Sequence, residues 1–275
     1  MSNSEKNVMI IGAGAMGKAI ASNLIASKWK GKVTLTVKSE ERRKEVGQEI
    51  NGSGIKLKVG NLTDLHNSDI IIIAVKPQSI SVLCKELAGK IELKTILVSI
   101  VAGVDTDSLV KGFQHEKIVR CMPNTALTVG KSITTWIVAS KNRDDQVRVI
   151  SQQIFQLWGM EHQVCVESHL DMATAIFGTG PALIYHFVNE FYEAAIHIGF
   201  PKNNLMKMIM YMVVGTVELA EKQRDKHLSE LINQVTSPGG TTTEALYVFK
   251  KRGLGATITE GVKAAFDKIN RLRQT

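Results

Sequence analysis

The sequence predicts a two-part chain: a doubly wound parallel α/β sheet over residues 1–167, followed by an all-α domain over residues 168–275. Three observations predict it. A strand-like run, Val8 to Ile11, leads through a glycine-rich turn into a helical stretch. From Asn7 to Glu167, short β-rich runs alternate with helical ones, the pattern of βαβ units feeding one parallel sheet. After Glu167 the hydrophobic period becomes helical and stays so.

The elements follow in order. After Val8 to Ile11 come a helix at Met16 to Ser27, a strand at Val33 to Val37 and a helix at Glu40 to Ile50. Strands at Ile55 to Val59 and Ile70 to Ala74 precede a helix at Ser79 to Leu87 and a strand at Ile96 to Ile100. A helix at Thr106 to Lys111, strands at Ile118 to Met122 and Ile133 to Val138, a helix at Asp144 to Trp158 and a strand at Gln163 to Val166 complete the sheet domain. The run from Ile70 to Val75 is apolar at consecutive positions, as a strand covered on both faces requires, so it belongs at the centre.

In the second domain, Pro181 starts a helix in which Leu183, Ile184, Phe187, Val188, Phe191, Ala195 and Ile198 recur at spacings of three and four. Gly199 and Pro201 end it. The next helix, Leu205 to Glu221, is apolar on most sides (Met206, Met208, Ile209, Met210, Met212, Val213), more than one amphipathic stripe needs. In so small a domain such a helix calls for burial against a second subunit, and a homodimer is expected. Helices at Leu228 to Gln234, Thr242 to Lys251 and Thr257 to Arg271 close the chain.

Composition narrows the function classes. With 275 residues, 44% hydrophobic and 22% charged, the chain has the balance of a globular protein. Its longest apolar run is far short of the roughly 20 residues that a membrane-spanning helix needs, and Met1 to Asn7 is polar, so a cytoplasmic protein without a membrane partner is expected. The scattered Cys84, Cys121 and Cys165 fit neither a disulfide scaffold nor a thiolate zinc site. The histidines form no close pair at helical ligand spacing, so no metal is expected. A net charge of +8 could signal nucleic acid, but the basic residues are mixed with acids and aromatics are only 5%. No nucleic-acid partner is expected; the positive field favours the approach of anionic small molecules.

Gly12-x-Gly14-x-x-Gly17, between a strand and a helix, stands in the context that a Rossmann-type dinucleotide site needs. Gly12 permits the turn, Gly14 lets backbone approach a pyrophosphate, and Gly17 lets helix and strand pack closely. The whole loop, Gly12, Ala13, Gly14, Ala15, Met16 and Gly17, with its free amides at the helix start, is the expected phosphate seat. At the end of the second strand an NAD site usually carries an acidic residue, whereas this chain has Val37-Lys38-Ser39 and then Arg42 and Arg43. Lys38, Ser39 and Arg42 suit a 2′-phosphate, so NADPH is favoured, with NADH the alternative donor; an ordinary solvated helix face accounts equally well for the arginines. Further cofactor contacts are expected where strands leave the sheet: Asn61 on the adenine side, Ala74-Val75-Lys76-Pro77, Ile100-Val101-Ala102, and Met122-Pro123-Asn124 near the nicotinamide. Pro77 should hold Lys76 extended.

The second site is Val235-Thr236-Ser237-Pro238-Gly239-Gly240-Thr241-Thr242, which sets amides and hydroxyls, with no charged group, at the mouth of a helix. It suits a small anion beside a neutral proton donor. Thr241-Thr242-Thr243-Glu244 reads as a capping box with Thr241 as N-cap and Glu244 reaching back. Gly239 and Gly240 allow several amides to converge on one carboxylate. The same residues also suit a purely structural, well-capped helix.

The run Val235 to Thr242 resembles the signature of pyrroline-5-carboxylate reductases. Ala74-Val75-Lys76-Pro77, Arg120-Cys121-Met122-Pro123-Asn124-Thr125 and Gly178-Thr179-Gly180-Pro181 resemble the other motifs of that family, in the same order. The resemblance implies reduction of L-1-pyrroline-5-carboxylate to L-proline with NAD(P)H, in a Rossmann domain joined to a helical domain that interlocks in a dimer, some members forming decamers. It implies that Ser237 and the amides of Gly239, Gly240 and Thr241 hold the substrate carboxylate and that Thr242 hydrogen-bonds the ring nitrogen. The chain departs from the family pattern at Phe177, commonly serine, at Leu228, usually proline, and at Asp225, a glutamate in related sequences. Two other readings share the plan. A β-hydroxyacid dehydrogenase relies on a lysine in the first long helix of the second domain, and Ala182 to Ile198 contains none. A non-catalytic NADPH-binding regulator would keep the fold without turnover.

Overall fold

The computed structural model describes residues 5–50, 56–59, 63–139 and 144–273. Eight strands form one sheet: β1 (Val8–Ile11), β2 (Val33–Val37), β3 (Lys56–Val59), β4 (Ile70–Ile73), β5 (Ile96–Ser99), β6 (Ile118–Met122), β7 (Ser132–Val138) and β8 (Gly159–Gln163). Their spatial order is β3-β2-β1-β4-β5-β6-β7-β8. The helices of this part are α1 (Ala15–Ala26), α2 (Glu40–Glu49), α3 (Ile80–Leu87), α4 (Thr106–Phe113), α5 (Asp145–Trp158) and α6 (Glu167–Ala173). After a π-helical turn at Thr174–Gly178 come α7 (Gly180–His197), α8 (Leu205–Lys222), α9 (Leu228–Gln234), α10 (Thr241–Lys251) and α11 (Leu254–Arg273). The chain forms two compact units, one up to Thr179 together with the stretch from Ala265, the other Gly180–Ala264.

Burial explains the centre of the sheet. Ile70, Ile71, Ile72 and Ile73 are all fully buried. Because strand side chains alternate between faces, Ile70 and Ile72 join one core with Ile20, Leu24, Ile154 and Phe155, while Ile71 and Ile73 join the other with Leu83, Leu87, Leu109 and Phe113. A four-residue isoleucine run thus serves both layers of helices, with β4 hydrogen-bonded to β1 on one side and β5 on the other.

The expected doubly wound parallel sheet is present as β1 to β6. The last two strands reverse: β7 pairs antiparallel with β6 and parallel with β8. The connection over residues 123–131 is mostly a short 3-10 turn, Thr125–Val129, whereas a parallel return needs a crossover of about a dozen residues or more. The strand expected at Gln163 to Val166 lies earlier, at Gly159–Gln163. Gly159, at φ 138°, turns the chain straight from α5 into β8, and a Cβ there would meet the Ser132 nitrogen at 2.7 Å. Trp136 and Trp158 pack on Phe155, with ring centroids 5.5 and 5.0 Å apart, and fix α5 on this edge.

A buried ion-pair network fastens α6, an element with no apolar periodicity to announce it. Arg120, on β6 and 1% exposed, donates from Nη1 to Glu167 Oε1 and from Nη2 to Asp171 Oδ1, both at 2.8 Å. Glu167 also accepts from the Thr106 amide at 2.9 Å and the Thr106 hydroxyl at 2.8 Å. One carboxylate therefore joins β6 to the starts of α4 and α6.

The Gly180–Ala264 unit has a small core, Val188, Leu205 and Ile209, with Tyr192, Ala195, Ile196 and Val213 against it. Large apolar side chains remain outside: Tyr211 is 83% exposed, Val217 58% and Ile184 56%. An apolar surface of this extent marks an association face.

Two measurements test these packing arguments. Arg120→Met removes the partner of one buried carboxylate, Asp171, and one half-buried carboxylate, Glu167, and is expected to cost about 3–5 kcal/mol in urea unfolding. His115 is 2% exposed and donates from Nε2 to the Thr95 carbonyl at 2.7 Å; burial lowers its pKa below the ordinary 6.5. The unfolded chain then takes up a proton that the folded one refuses. Its stabilising share is complete above that pH and is lost as pH falls from 6.5 toward the lower folded value. His115→Gln should flatten this part of a plot of melting temperature against pH.

Candidate active site

Strand β1 ends at Ile11, and Gly12 turns the chain at φ 114°, a conformation that side chains resist. A Cβ on Gly12 would lie 2.6 Å from the Ala74 carbonyl oxygen, and one on Gly17 would fall on the Gly12 carbonyl oxygen. Gly14 differs: it is the N-cap of α1, without a side-chain cap, and a Cβ on it would meet nothing within 4 Å. Two glycines therefore hold the loop in shape and the third leaves room above it. The first helical bond runs from Lys18 N–H to Gly14 O at 3.0 Å, so the amides of Ala15, Met16 and Gly17 lie ahead of the helix ladder, at its positive end. A phosphate fits this seat. Ala13 is buried and Met16 packs on the core, so neither offers more than backbone.

The order β2-β1-β4-β5 makes the carboxyl ends of β1 and β4 the switch point of the sheet, the ligand position in open α/β folds. There the Ala74 amide donates to Ile11 O at 2.8 Å, which sets Ala74 and Val75 beside the glycine loop. Lys76 is extended (φ −68°, ψ 149°) ahead of Pro77, as the proline dictates. On the next strand the Ile100 amide donates to Ile73 O at 3.1 Å. Val101 is buried and its amide donates to the Ser99 hydroxyl at 3.3 Å, which leaves Ala102 the more open residue.

At the end of β2, Lys38 is exposed and Ser39 caps α2, its Oγ accepting the Arg42 amide at 3.2 Å. The Ser39 O–H is left to donate. Arg42 pairs with Glu45 at 2.6 Å and Arg43 with Glu40 at 3.3 Å, along their own helix. Exposed pairs of this kind are worth about 0–1 kcal/mol, so an incoming phosphate competes with Glu45 at little cost. Asn61 lies outside the described residues.

Beyond β6, Met122 is half-buried and Pro123 buried, while Asn124 serves as a clamp. Its backbone N–H donates to Ser132 Oγ at 3.0 Å, its Oδ1 accepts from the Ala126 amide at 3.1 Å, and its Nδ2 donates to the Phe177 carbonyl at 3.2 Å. The side chain is spent on tying the strand end to the π-helical turn. That turn is not legible in the sequence; the one signal there is the aromatic Phe177 at an unusual place.

In the second unit, Ser237-Pro238-Gly239-Gly240 closes through Gly240 N–H to Ser237 O at 2.9 Å. Pro238 second and Gly239, at φ 68°, third are the residues of a type II turn. The capping box expected at Thr241 and Glu244 is not formed. The N-cap is Gly240, with no side-chain cap bond, and α10 starts at Thr241, one residue earlier than expected. Glu244 then falls at the fourth helical position, too far along to reach back, and its amide makes the bond to Gly240 O at 3.2 Å. The amides of Thr241, Thr242 and Thr243 precede that bond and face the helix mouth, beside the exposed Ser237 and Thr242. A capping box does form at α9, where His227 Nδ1 accepts the Ser229 amide at 3.2 Å and Glu230 accepts the His227 amide at 3.3 Å. His227 is thus a helix-start residue.

What the arrangement supplies is a phosphate seat at the switch point of one unit and, in the other, an uncharged helix mouth with two hydroxyls. Residues 167–272 match the family model "Pyrroline-5-carboxylate reductase dimerisation", and residues 7–103 match "NADP oxidoreductase coenzyme F420-dependent". A pyrroline-5-carboxylate reductase of Synechocystis sp. is 31% identical over 96% of this chain and 97% of its own. Among solved structures, the Plasmodium falciparum pyrroline carboxylate reductase with NADP bound has a TM-score of 0.85 at 26% identity, covering 98% of this chain and 99% of its own. The Coxiella burnetii pyrroline-5-carboxylate reductase has a TM-score of 0.86 at 27% identity, with the same coverage.

The three glycines give a test in which shape and seat separate. Gly14→Ala should keep the melting temperature and weaken NADPH about ten- to hundredfold in a fluorescence titration, because its methyl fills the open space where a phosphate would sit. Gly17→Ala should lower the melting temperature as well, because its methyl meets backbone.

Proposed function

The chain belongs to the pyrroline-5-carboxylate reductase family and is an NAD(P)H-dependent oxidoreductase that reduces L-1-pyrroline-5-carboxylate to L-proline, the last step of proline biosynthesis; we propose that the residues described above carry that reaction as follows. The observation that supports the residue roles is the start of α10, where hydroxyls and amides meet with no charged side chain among residues 235–243.

Bound NADPH supplies the hydride. The loop Gly12 to Gly17 holds its pyrophosphate on amides, Lys38, Ser39 and Arg42 face the 2′-phosphate, and Ala74 to Pro77, Ile100 to Ala102 and Met122 to Asn124 line the remaining strand ends. Ser237 O–H and the amides of Gly239 and Thr241 hold the substrate carboxylate. Gly240 spends its amide on the turn, and what it contributes to the carboxylate site is close approach. The Thr242 hydroxyl hydrogen-bonds the ring nitrogen.

This division suits the chemistry. A protonated cyclic imine is already electrophilic at the carbon that accepts hydride, so the step needs little acid catalysis. It needs position, with donor and acceptor carbons about 3–3.5 Å apart and water excluded. A neutral hydroxyl orients the nitrogen, whereas a carboxylate beside it would repel the substrate's own. Residues 1–167 serve the cofactor, and residues 168–275 serve the substrate and self-association. The exposed apolar faces of α7 and α8 favour a homodimer, the unit from which a decamer would be built. Among the described residues no helix is long and apolar enough to cross a membrane.

Steady-state oxidation of NADPH by the purified protein with L-1-pyrroline-5-carboxylate tests the reading, and absence of turnover would sink it. Thr242→Val removes the bond that orients the ring nitrogen and should lower kcat by about a hundredfold while leaving NADPH affinity within about twofold. Equal loss of both would remove Thr242 from its assigned role.

A further inference from the structure

We propose that Thr243 is a positioning residue for the substrate segment, bracing the turn that carries Ser237 against the helix start that carries Thr242. The proposal rests on the substrate roles given above to Ser237 and Thr242. The type II turn fixes the shape of its four residues, but its single bond does not fix how the turn sits on α10. Thr243 supplies that restraint: its Oγ1 donates to the Ser237 carbonyl at 2.7 Å, six residues back. That carbonyl oxygen also accepts the Gly240 amide at 2.9 Å, so one acceptor is held from the turn and from the first turn of the helix together.

Exposure separates the three threonines. Thr241 and Thr242 are exposed, whereas Thr243 is half-buried with its hydroxyl turned onto the loop. At the other end of the segment the Thr236 hydroxyl lies 3.2 Å from both the Ile232 and Asn233 carbonyls, which ties that end to α9. The segment is thus pinned at both flanks by hydroxyls that do not face ligand. Between the pins, Ser237 Oγ occupies the space that a side chain on Gly240 would need, since a Cβ there would lie 2.5 Å from it. The place of Ser237 Oγ follows from the orientation of its own backbone, and Thr243 sets that orientation. Loss of the brace is therefore expected to show in the affinity for the carboxylate substrate and not in the affinity for the cofactor.

The test compares Thr243→Val, which keeps shape and removes the hydroxyl, with Thr243→Ser, which keeps the hydroxyl. In steady-state kinetics, T243V should raise the KM for L-1-pyrroline-5-carboxylate about three- to tenfold, the loss of one hydrogen bond, and leave the KM for NADPH within about twofold. T243S should restore the substrate KM to within about twofold of the parent. An unchanged substrate KM in T243V, equal rises in both KM values, or a T243S as impaired as T243V would overturn the brace. Were T243V to misfold by circular dichroism, Thr243→Ala against T243S makes the same comparison, with the same results supporting or overturning the brace. Failure of the parent enzyme to turn over would instead strike at the substrate assignment.

Discussion

Arg120 is a permanent charge in the interior, and much of the cofactor-binding unit is arranged around that fact. A guanidinium cannot shed its proton at any ordinary pH, so a residue 1% exposed must be neutralised where it stands. Glu167 and Asp171 do so, and in the process the polar segment that contains them becomes α6. Glu167 then reaches Thr106 at the start of α4, and the π-helical turn that follows α6 is caught by Asn124 from the end of β6. The carboxyl edge on which the proposed cofactor residues lie is held by charge, where the centre of the sheet is held by isoleucine. Desolvating three ions is expensive, and such a network is a poor source of net stability, but it admits few alternative geometries.

The uncapped helix starts show a second division. Helices α2, α4, α5 and α9 are capped by the side chains of Ser39, Asp105, Asp144 and His227. Helices α3, α6 and α8 start without a side-chain cap bond, on Ser79, Val166 and Asn204, whereas at α1 and α10 the uncapped N-cap is a glycine. A good side-chain cap is worth about 1 kcal/mol, so these two ends forgo local stability. They are also the two ends assigned to anions, one to a pyrophosphate and one to a carboxylate. An amide satisfied by its own cap is not available to a ligand.

The same physics decides which parts of the protein are legible in its sequence. The core strand Ile70–Ile73, the glycine loop and the first parallel strands are readable because burial and backbone geometry leave marks on neighbouring residues. Strand β8, in contrast, reads Gly-Met-Glu-His-Gln, with only partial burial, and its place is fixed by Gly159 and the tryptophan cluster. Helix α6 depends on an arginine more than forty residues earlier, a partner that no local pattern reveals. The shifted start of α10 is a subtler case. Thr-Thr-Thr-Glu satisfies the capping pattern with Thr241 as N-cap, but after the Pro238-Gly239 turn the helix starts one residue earlier, on Gly240, and Glu244 falls out of reach. Asn124 stands in a motif that the sequence singles out, but its side chain is committed to Phe177 and Ala126, bonds that only the fold could reveal.

The helical unit keeps a core of only a few side chains, Val188, Leu205 and Ile209, under a much larger apolar exterior. Its folding is therefore tied to mass action. What holds these helices in place comes in good part from association, and association free energy scales with the logarithm of concentration. Dilution should loosen the segment that carries Ser237 and Thr242 before it loosens the glycine loop. With the roles proposed for Ser237 and Thr242, substrate affinity and subunit concentration become linked quantities, while the glycine loop, resting on its own sheet, answers to neither.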